Sequence, residues 1–282
     1  MMSFLNALVA RIKRLFISPT EASGFRWEAS WSLFLLDNVV FYKVLSDSDK
    51  TLFEQRCLLF MNTTRIEAGA FEVSDEDRLL VAASAIIPVW GFPQWHYFNL
   101  AAVFLLPGAF NDQFECAQED STIAGMVGTG PMAGKMALSR PHLHLGYKNS
   151  KDKNNVGIHE FVHLLDMADG RCDGVAESLH QHESTAIWFD FIEHKINEID
   201  RGDSNIPLYG ATNRQEFFAV ASEYFFERPQ MLKKKHPRLF DTLTQFYQQN
   251  VLEIEKDVKI RGKAPCPCGS GKRYKRCCLP KH

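Results

Sequence analysis

Apolar and polar positions follow a helical period in some stretches of the chain and a strict alternation in others, and each pattern predicts an element. Between Glu28 and Met61, Trp31, Leu33, Phe34, Leu35, Val39, Phe41, Val44 and Leu45 recur at helical spacing. Asp47 then opens a second run through Leu52, Phe53, Cys57, Leu58 and Leu59, so an αα unit is expected. The apolar stretch from Leu79 to Ile87 is alanine-rich and reads as a buried helix. Tyr97 to Leu106, stopped by Pro107 and Gly108, reads as a strand. Four glycines and a proline between Gly125 and Gly134 demand a turn or hairpin, and Leu138 to Tyr147 alternates like a strand. Helices are predicted over Val156 to Met167, Arg214 to Phe226 and Pro237 to Gln249, the last preceded by a Lys233 to Lys235 run that reads as a solvated face. Strands and helices in this mixture predict an α+β fold.

Composition narrows the class. The 282 residues are 45% hydrophobic and 23% charged, which excludes disorder and fibrous architectures. The net charge of -2 argues against a chain that binds nucleic acid over its whole surface. No apolar run approaches the roughly 18 to 20 residues of a membrane-spanning helix, so no transmembrane segment is expected. Met1 to Ile17 is patterned as an amphipathic helix, with Arg11, Lys13 and Arg14 where a secretory signal would need apolar residues. A cytoplasmic protein is the expectation, with Cys57, Cys116 and Cys172 as reduced thiols. Charge is uneven: Val258 to His282 holds eight Lys and Arg and no Asp or Glu. Three parts follow: an amphipathic segment at 1–27, a main domain at 28–257 and a basic tail at 258–282.

His159-Glu160-Phe161-Val162-His163 is H-E-x-x-H within a helical segment. Residues four apart share a helix face, so two imidazoles can converge on one Zn²⁺ while Glu160 projects beside it as a general base. Two glycine runs, Gly130 to Lys135 and Gly269 to Lys272, miss the phosphate-loop pattern and are not assigned to nucleotide. The third ligand has several candidates. Asp169 is disfavoured because Asp166 stands where the corresponding motif needs a glycine, and it reads as a turn residue. His142, His144, His180 and His182 have no distinguishing spacing. Glu216 and Glu223 lie seven apart on a face otherwise aromatic and alanine-rich, where a carboxylate needs a partner. One on the metal and one holding an imidazole N–H would satisfy both, and spacing does not say which is which.

The ordered set His159-Glu-Phe-Val-His163-Leu-Leu-Asp166, Gly170, Tyr209-Gly-Ala-Thr-Asn-Arg-Gln-Glu216-Phe-Phe-Ala-Val-Ala-Ser-Glu223 and Phe246-Tyr-Gln-Gln249 resembles the Mlc titration factor A group of zinc-dependent peptidases. The likeness runs from about Phe34 to Asn250. It implies a zincin-like domain of the gluzincin type, with a metal centre similar to that of the anthrax lethal factor protease domain. Carried over by position, it implies catalytic zinc on His159, His163 and Glu216, Glu160 as general base, and Tyr209 as a phenol for the developing oxyanion. Glu223 and Asp166 are then the candidates for supporting the metal ligands from behind. The resemblance also implies a peptide or protein substrate, with a tilt toward aminopeptidase action. As an alternative it implies a regulatory protein that sequesters a transcriptional repressor of sugar uptake.

In the tail, Cys266-Pro-Cys268 and Cys277-Cys278 flank a glycine-containing loop, a set able to hold a second, structural Zn²⁺. The run resembles the SEC-C module at the end of the SecA translocation motor. So small a knuckle depends on its metal for its fold and reads as a docking element for a protein or, given its basic residues, a nucleic acid.

Overall fold

The computed structural model describes residues 24–148, 153–174 and 185–257, together with Lys272, Arg273 and Arg276. The amphipathic segment expected at residues 1–17, His180, His182, and Cys266, Cys268, Cys277 and Cys278 lie outside the described residues.

The αα unit forms with one additional break. α1 (Ala29–Asn38) ends where Val39 becomes extended, a single turn α2 (Val40–Lys43) follows, and α3 (Asp47–Thr63) starts at Ser46, whose hydroxyl accepts the Asp49 amide. After the strand β1 (Arg65–Ala68), the alanine-rich run is the helix α4 (Asp75–Ile86). It opens on a reciprocal capping box between Ser74 and Asp77, and it is buried from Leu79 to Ile86.

The expected Tyr97 to Leu106 strand contracts to β2 (Ala102–Leu106), and the glycine-rich stretch is a hairpin of β3 (Gly125–Val127) and β4 (Lys135–Ser139). The sheet order is β1-β2-β4-β3. The first three strands are parallel, and β3 lies antiparallel on β4 with Gly125 opposite Leu138, which leaves β3 at the sheet edge.

One expectation fails here. Leu138 to Tyr147 is not a strand throughout: β4 ends at Ser139 and the chain turns directly into α5 (Arg140–Lys148). Pro141 in the first turn lacks an N–H that the helix would leave unpaired anyway, so proline favours the helix start. The alternation of His142, Leu143, His144 and Leu145 reflects a helix with a narrow buried side, on which Leu143 and Gly146 are the buried positions.

α6 (Val156–Asp166), α7 (Thr185–Asp200), α8 (Arg214–Glu227), α9 (Pro229–Lys235), α10 (Pro237–Phe246) and α11 (Val251–Asp257) complete the order. The lysines closing α9 are exposed, as their run suggested. α6 packs along α8 and against α4, burying Phe161, Val162, Leu165, Phe217, Phe218 and Phe225. At the α4 crossing a Cβ on Gly157 would fall 2.1 Å from Ser84 Oγ, so only glycine permits this approach. That contact fixes α6 two residues before His159. Cys57, Cys116 and Cys172 are free thiols.

Candidate metal centre

α6 starts at Asn155, whose side chain accepts the Ile158 amide at 3.1 Å. The Asn155 amide in turn donates to Glu223 Oε2 at 2.5 Å, while Glu223 Oε1 lies 2.7 Å from His159 Nδ1. One carboxylate on α8 thus ties down both the first turn of α6 and the far nitrogen of its first imidazole. A seven-residue spacing on α8 brings Glu216 to the opposite nitrogen: its Oε2 is 3.0 Å from His159 Nε2 and 3.5 Å from His163 Nε2. Asn213 caps α8 by accepting the Glu216 amide.

The two Nε2 atoms are 3.1 Å apart, and among the described residues His159, His163 and Glu216 each offer one ligand atom, all within 4.8 Å of one another. Three electron-rich atoms face a common point at the edge of a buried helix pair, a donor set suited to a zinc ion. Among the described residues His163 Nδ1 is buried without a hydrogen-bond partner, and the contacts of that ring's nitrogens lie on its Nε2 side.

Burial works against an imidazolium at His159, yet Glu223 and Glu216 outweigh it and raise its pKa well above the ordinary value. Burial would raise Glu216 as well, but its bonds to His159 and His163 hold it far below the carboxylate range. Glu160 is displaced upward by burial in excess of the pull of the two imidazoles. Tyr209, 57% exposed in the turn Leu208–Ala211, stacks obliquely on His159 with ring centroids 5.9 Å apart. Burial of its hydroxyl, then the charges of Glu216 and Glu160, push its pKa up to about 12.

Asp166 sits at the end of α6, three residues after His163. It is buried, and Oδ2 takes the Gly174 amide at 2.9 Å and anchors the loop after α6. Asp169 accepts the Arg171 amide in the turn that ends at Gly170, whose φ of +90° stops the helix. His144 is drawn away to Asp77, 2.7 Å from its carboxylate. His142 lies on the cleft wall, bonded to Ser139.

That cleft has a volume of about 510 Å³ and runs from His159, Glu160 and Tyr209 to β3 and α5. Gly125, legible from its pattern only as part of a turn or hairpin, sits where a Cβ would lie 2.6 Å from Glu160 Oε1 and 2.7 Å from Val156 Cγ2. Absence of a side chain there lets the sheet edge reach the glutamate. The tie of Asn155 to Glu223 joins residues 68 apart and needs the fold.

The model of the glucose-regulated metallo-peptidase M90 family matches residues 20–248. The chain belongs to this family. An uncharacterized protein from Synechocystis sp. is 30% identical over 230 residues, 77% of this chain and 82% of that protein. Mlc titration factor A of Escherichia fergusonii is 37% identical over 106 residues, 35% of this chain and 39% of that protein. Its counterpart in Serratia proteamaculans is 26% identical over 183 residues, 60% and 67% of the two chains. The chain thus spans about two fifths of the Escherichia protein. A SEC-C motif matches residues 263–280. Membership of a metallo-peptidase family and the SEC-C motif both imply zinc binding. Among the described residues no helix is long and apolar enough to cross a membrane.

Proposed function

We propose that this M90 chain is a zinc-dependent peptidase in which His159, His163 and Glu216 hold the metal and Glu160 is the general base. The observation that carries this is the convergence of three ligand atoms within 4.8 Å beside the buried carboxylate of Glu160, at one end of an open cleft. When bound there, zinc supplies Lewis acidity that polarises a carbonyl and lets a water lose its proton near neutral pH. Glu160, its pKa already raised by burial, takes that proton and returns it to the leaving amine. Glu223 keeps the His159 proton on Nδ1, leaving Nε2 free to bind. Tyr209 stands beside His159 with a phenol that stays protonated and can donate to the oxyanion.

Among the described residues, the carboxylates lining the cleft are Glu160 and Glu223, both engaged in this arrangement. The reaction proposed is peptide-bond hydrolysis, and the family resemblance tilts it toward aminopeptidase action. In the tail, Cys266, Cys268, Cys277 and Cys278 are proposed to hold a second, structural zinc.

The relatives' name, Mlc titration factor A, favours a second reading in which the chain binds a transcriptional repressor. The two differ over Glu160, which a pure binding protein does not need. Zinc content and cleavage of a peptide library, measured together on wild type and Glu160→Gln, test them. Two zinc ions per chain are expected in both proteins, with cleavage reduced by about 10²–10⁴-fold in the variant. Equal cleavage by both, in preparations free of other proteases, sinks the mechanism. No cleavage by either, with repressor binding retained, leaves the second reading.

A further inference from the structure

We infer that the cleft contains a side-chain subsite in which His142 donates a hydrogen bond to substrate, selecting a Gln or Glu side chain. The inference rests on the peptidase reading for its substrate class, and its geometry stands apart from the metal ligands. Ser139, the last residue of β4, is fully buried, and its amide donates to Ala124 O at 2.7 Å. Its hydroxyl lies 2.7 Å from His142 Nδ1. A buried hydroxyl proton needs an acceptor, and Nδ1 is the acceptor within reach. Donation from Ser139 places the imidazole hydrogen on Nε2.

The His142 ring is exposed and lines the cleft, so this Nε2–H faces the space a substrate would enter. The same wall carries apolar Leu145, 51% exposed, and the half-buried Ile123 and Val156, together with the exposed polar residues Thr122 and Asn154. Methyl groups beside a donor that Ser139 holds in one orientation suit a stem of methylenes ending in an oxygen acceptor. Leucine would cover the N–H without bonding it, and lysine would bring a donor to a donor. A donor that the wrong side chain covers without bonding is what makes such a site selective.

The test uses zinc-loaded Glu160→Gln chain and fluorescent peptides differing by Gln, Glu, Leu or Lys at one position at a time, read by anisotropy. Cleavage of the same peptides by wild type is measured in parallel. At one position Gln and Glu should bind about tenfold more tightly than Leu and Lys. His142→Ala and Ser139→Ala, each added to this background, should erase the preference, while His142→Gln, which keeps a donor, should restore part of it. In wild-type cleavage the loss on His142→Ala should fall on KM more than on kcat. Equal binding of all four peptides, absence of any binding, or a preference that survives His142→Ala overturns the subsite. Selective binding without cleavage would defeat the peptidase reading and keep the subsite, whereas cleavage without selectivity would do the reverse.

Discussion

Two buried clusters in this fold are made of the same groups, histidine and carboxylate, and they are built to opposite ends. At Asp77, which is 0% exposed, every contact brings a hydrogen: the Ser74 amide at 2.9 Å to Oδ2, and Arg140 Nε at 2.8 Å with His144 Nε2 at 2.7 Å to Oδ1. Burial alone would raise its pKa, but these donors hold it well below the carboxylate range. At His159 and His163 the contacts bring lone pairs instead, with two Nε2 atoms 3.1 Å apart and Glu216 Oε2 beside both. The first cluster is complete as it stands and pins α5 to the start of α4. The second needs an added positive charge, the proton of a charged His159 or a metal ion in its place. Donor and acceptor counting, more than residue type, separates a structural cluster from a metal centre.

Removing a carboxylate from each cluster should break different things. Glu216→Ala takes a ligand from the metal, so zinc affinity should fall by more than the roughly 100-fold upper range of an outer partner, with the fold retained. Metal titration with a competing chelator, alongside circular dichroism, checks this; undiminished affinity would remove Glu216 from the ligand set. Asp77→Asn should leave zinc affinity unchanged but destabilise the chain by about 2–3 kcal/mol, discounted because Arg140 is 39% exposed. Since Asp77 is depressed in the folded state, its contribution is present above the unfolded pKa and lost as pH falls through the folded one. The gap between wild type and variant in denaturant melts should therefore begin to close below about pH 4.

The contrast also explains what could be read before the fold was known. α6 and α8 were legible because each carries a long apolar period around a few polar residues, and the H-E-x-x-H spacing is itself a helix-face statement. α5 was misread because His142, Leu143, His144 and Leu145 alternate, and four residues cannot separate a period of 2 from one of 3.6 when the buried stripe is narrow. β1, four residues with every position half-buried, offers no alternation to detect. α7 was not anticipated at all, since its clustered Trp188, Phe189, Phe191 and Ile192 are residue types that favour strands. Asp77 with His144 and Arg140, like Gly125 with Glu160, joins residues far apart in sequence, and only packing places them together. The positions of Glu216 and Glu223, equivalent by spacing, separate once α8 is docked, because one faces Nε2 and the other Nδ1 of the same ring.

That separation has its own measurable consequence. Glu223→Gln keeps the size of the side chain and an acceptor oxygen but removes the charge that fixes His159, so zinc affinity should drop by about 10- to 100-fold, less than for Glu216→Ala. A reversed order in the chelator titration would exchange the roles of the two glutamates.

The smallest effect should come from pH alone. In the metal-free chain His159 is raised well above its ordinary pKa, because Glu223 and Glu216 outweigh the burial that opposes its charge. Stability from that pairing is therefore fully present below the unfolded pKa of about 6.5, and it is lost as pH rises through the raised folded value. Zinc binding needs Nε2 unprotonated, so it must expel this proton, whereas Glu216 is held ionised and gives none up. Apparent zinc affinity should accordingly rise by about tenfold per pH unit across neutrality, with one proton released per catalytic zinc. Calorimetry in buffers of different ionisation enthalpy reads that proton directly. In Glu223→Gln the ring loses its main stabilising charge, so the slope should flatten at lower pH than in wild type. Asp77→Asn, which touches a cluster already complete, should leave the slope where it was. A slope unchanged by Glu223→Gln would mean that the proton competing with zinc sits elsewhere than His159.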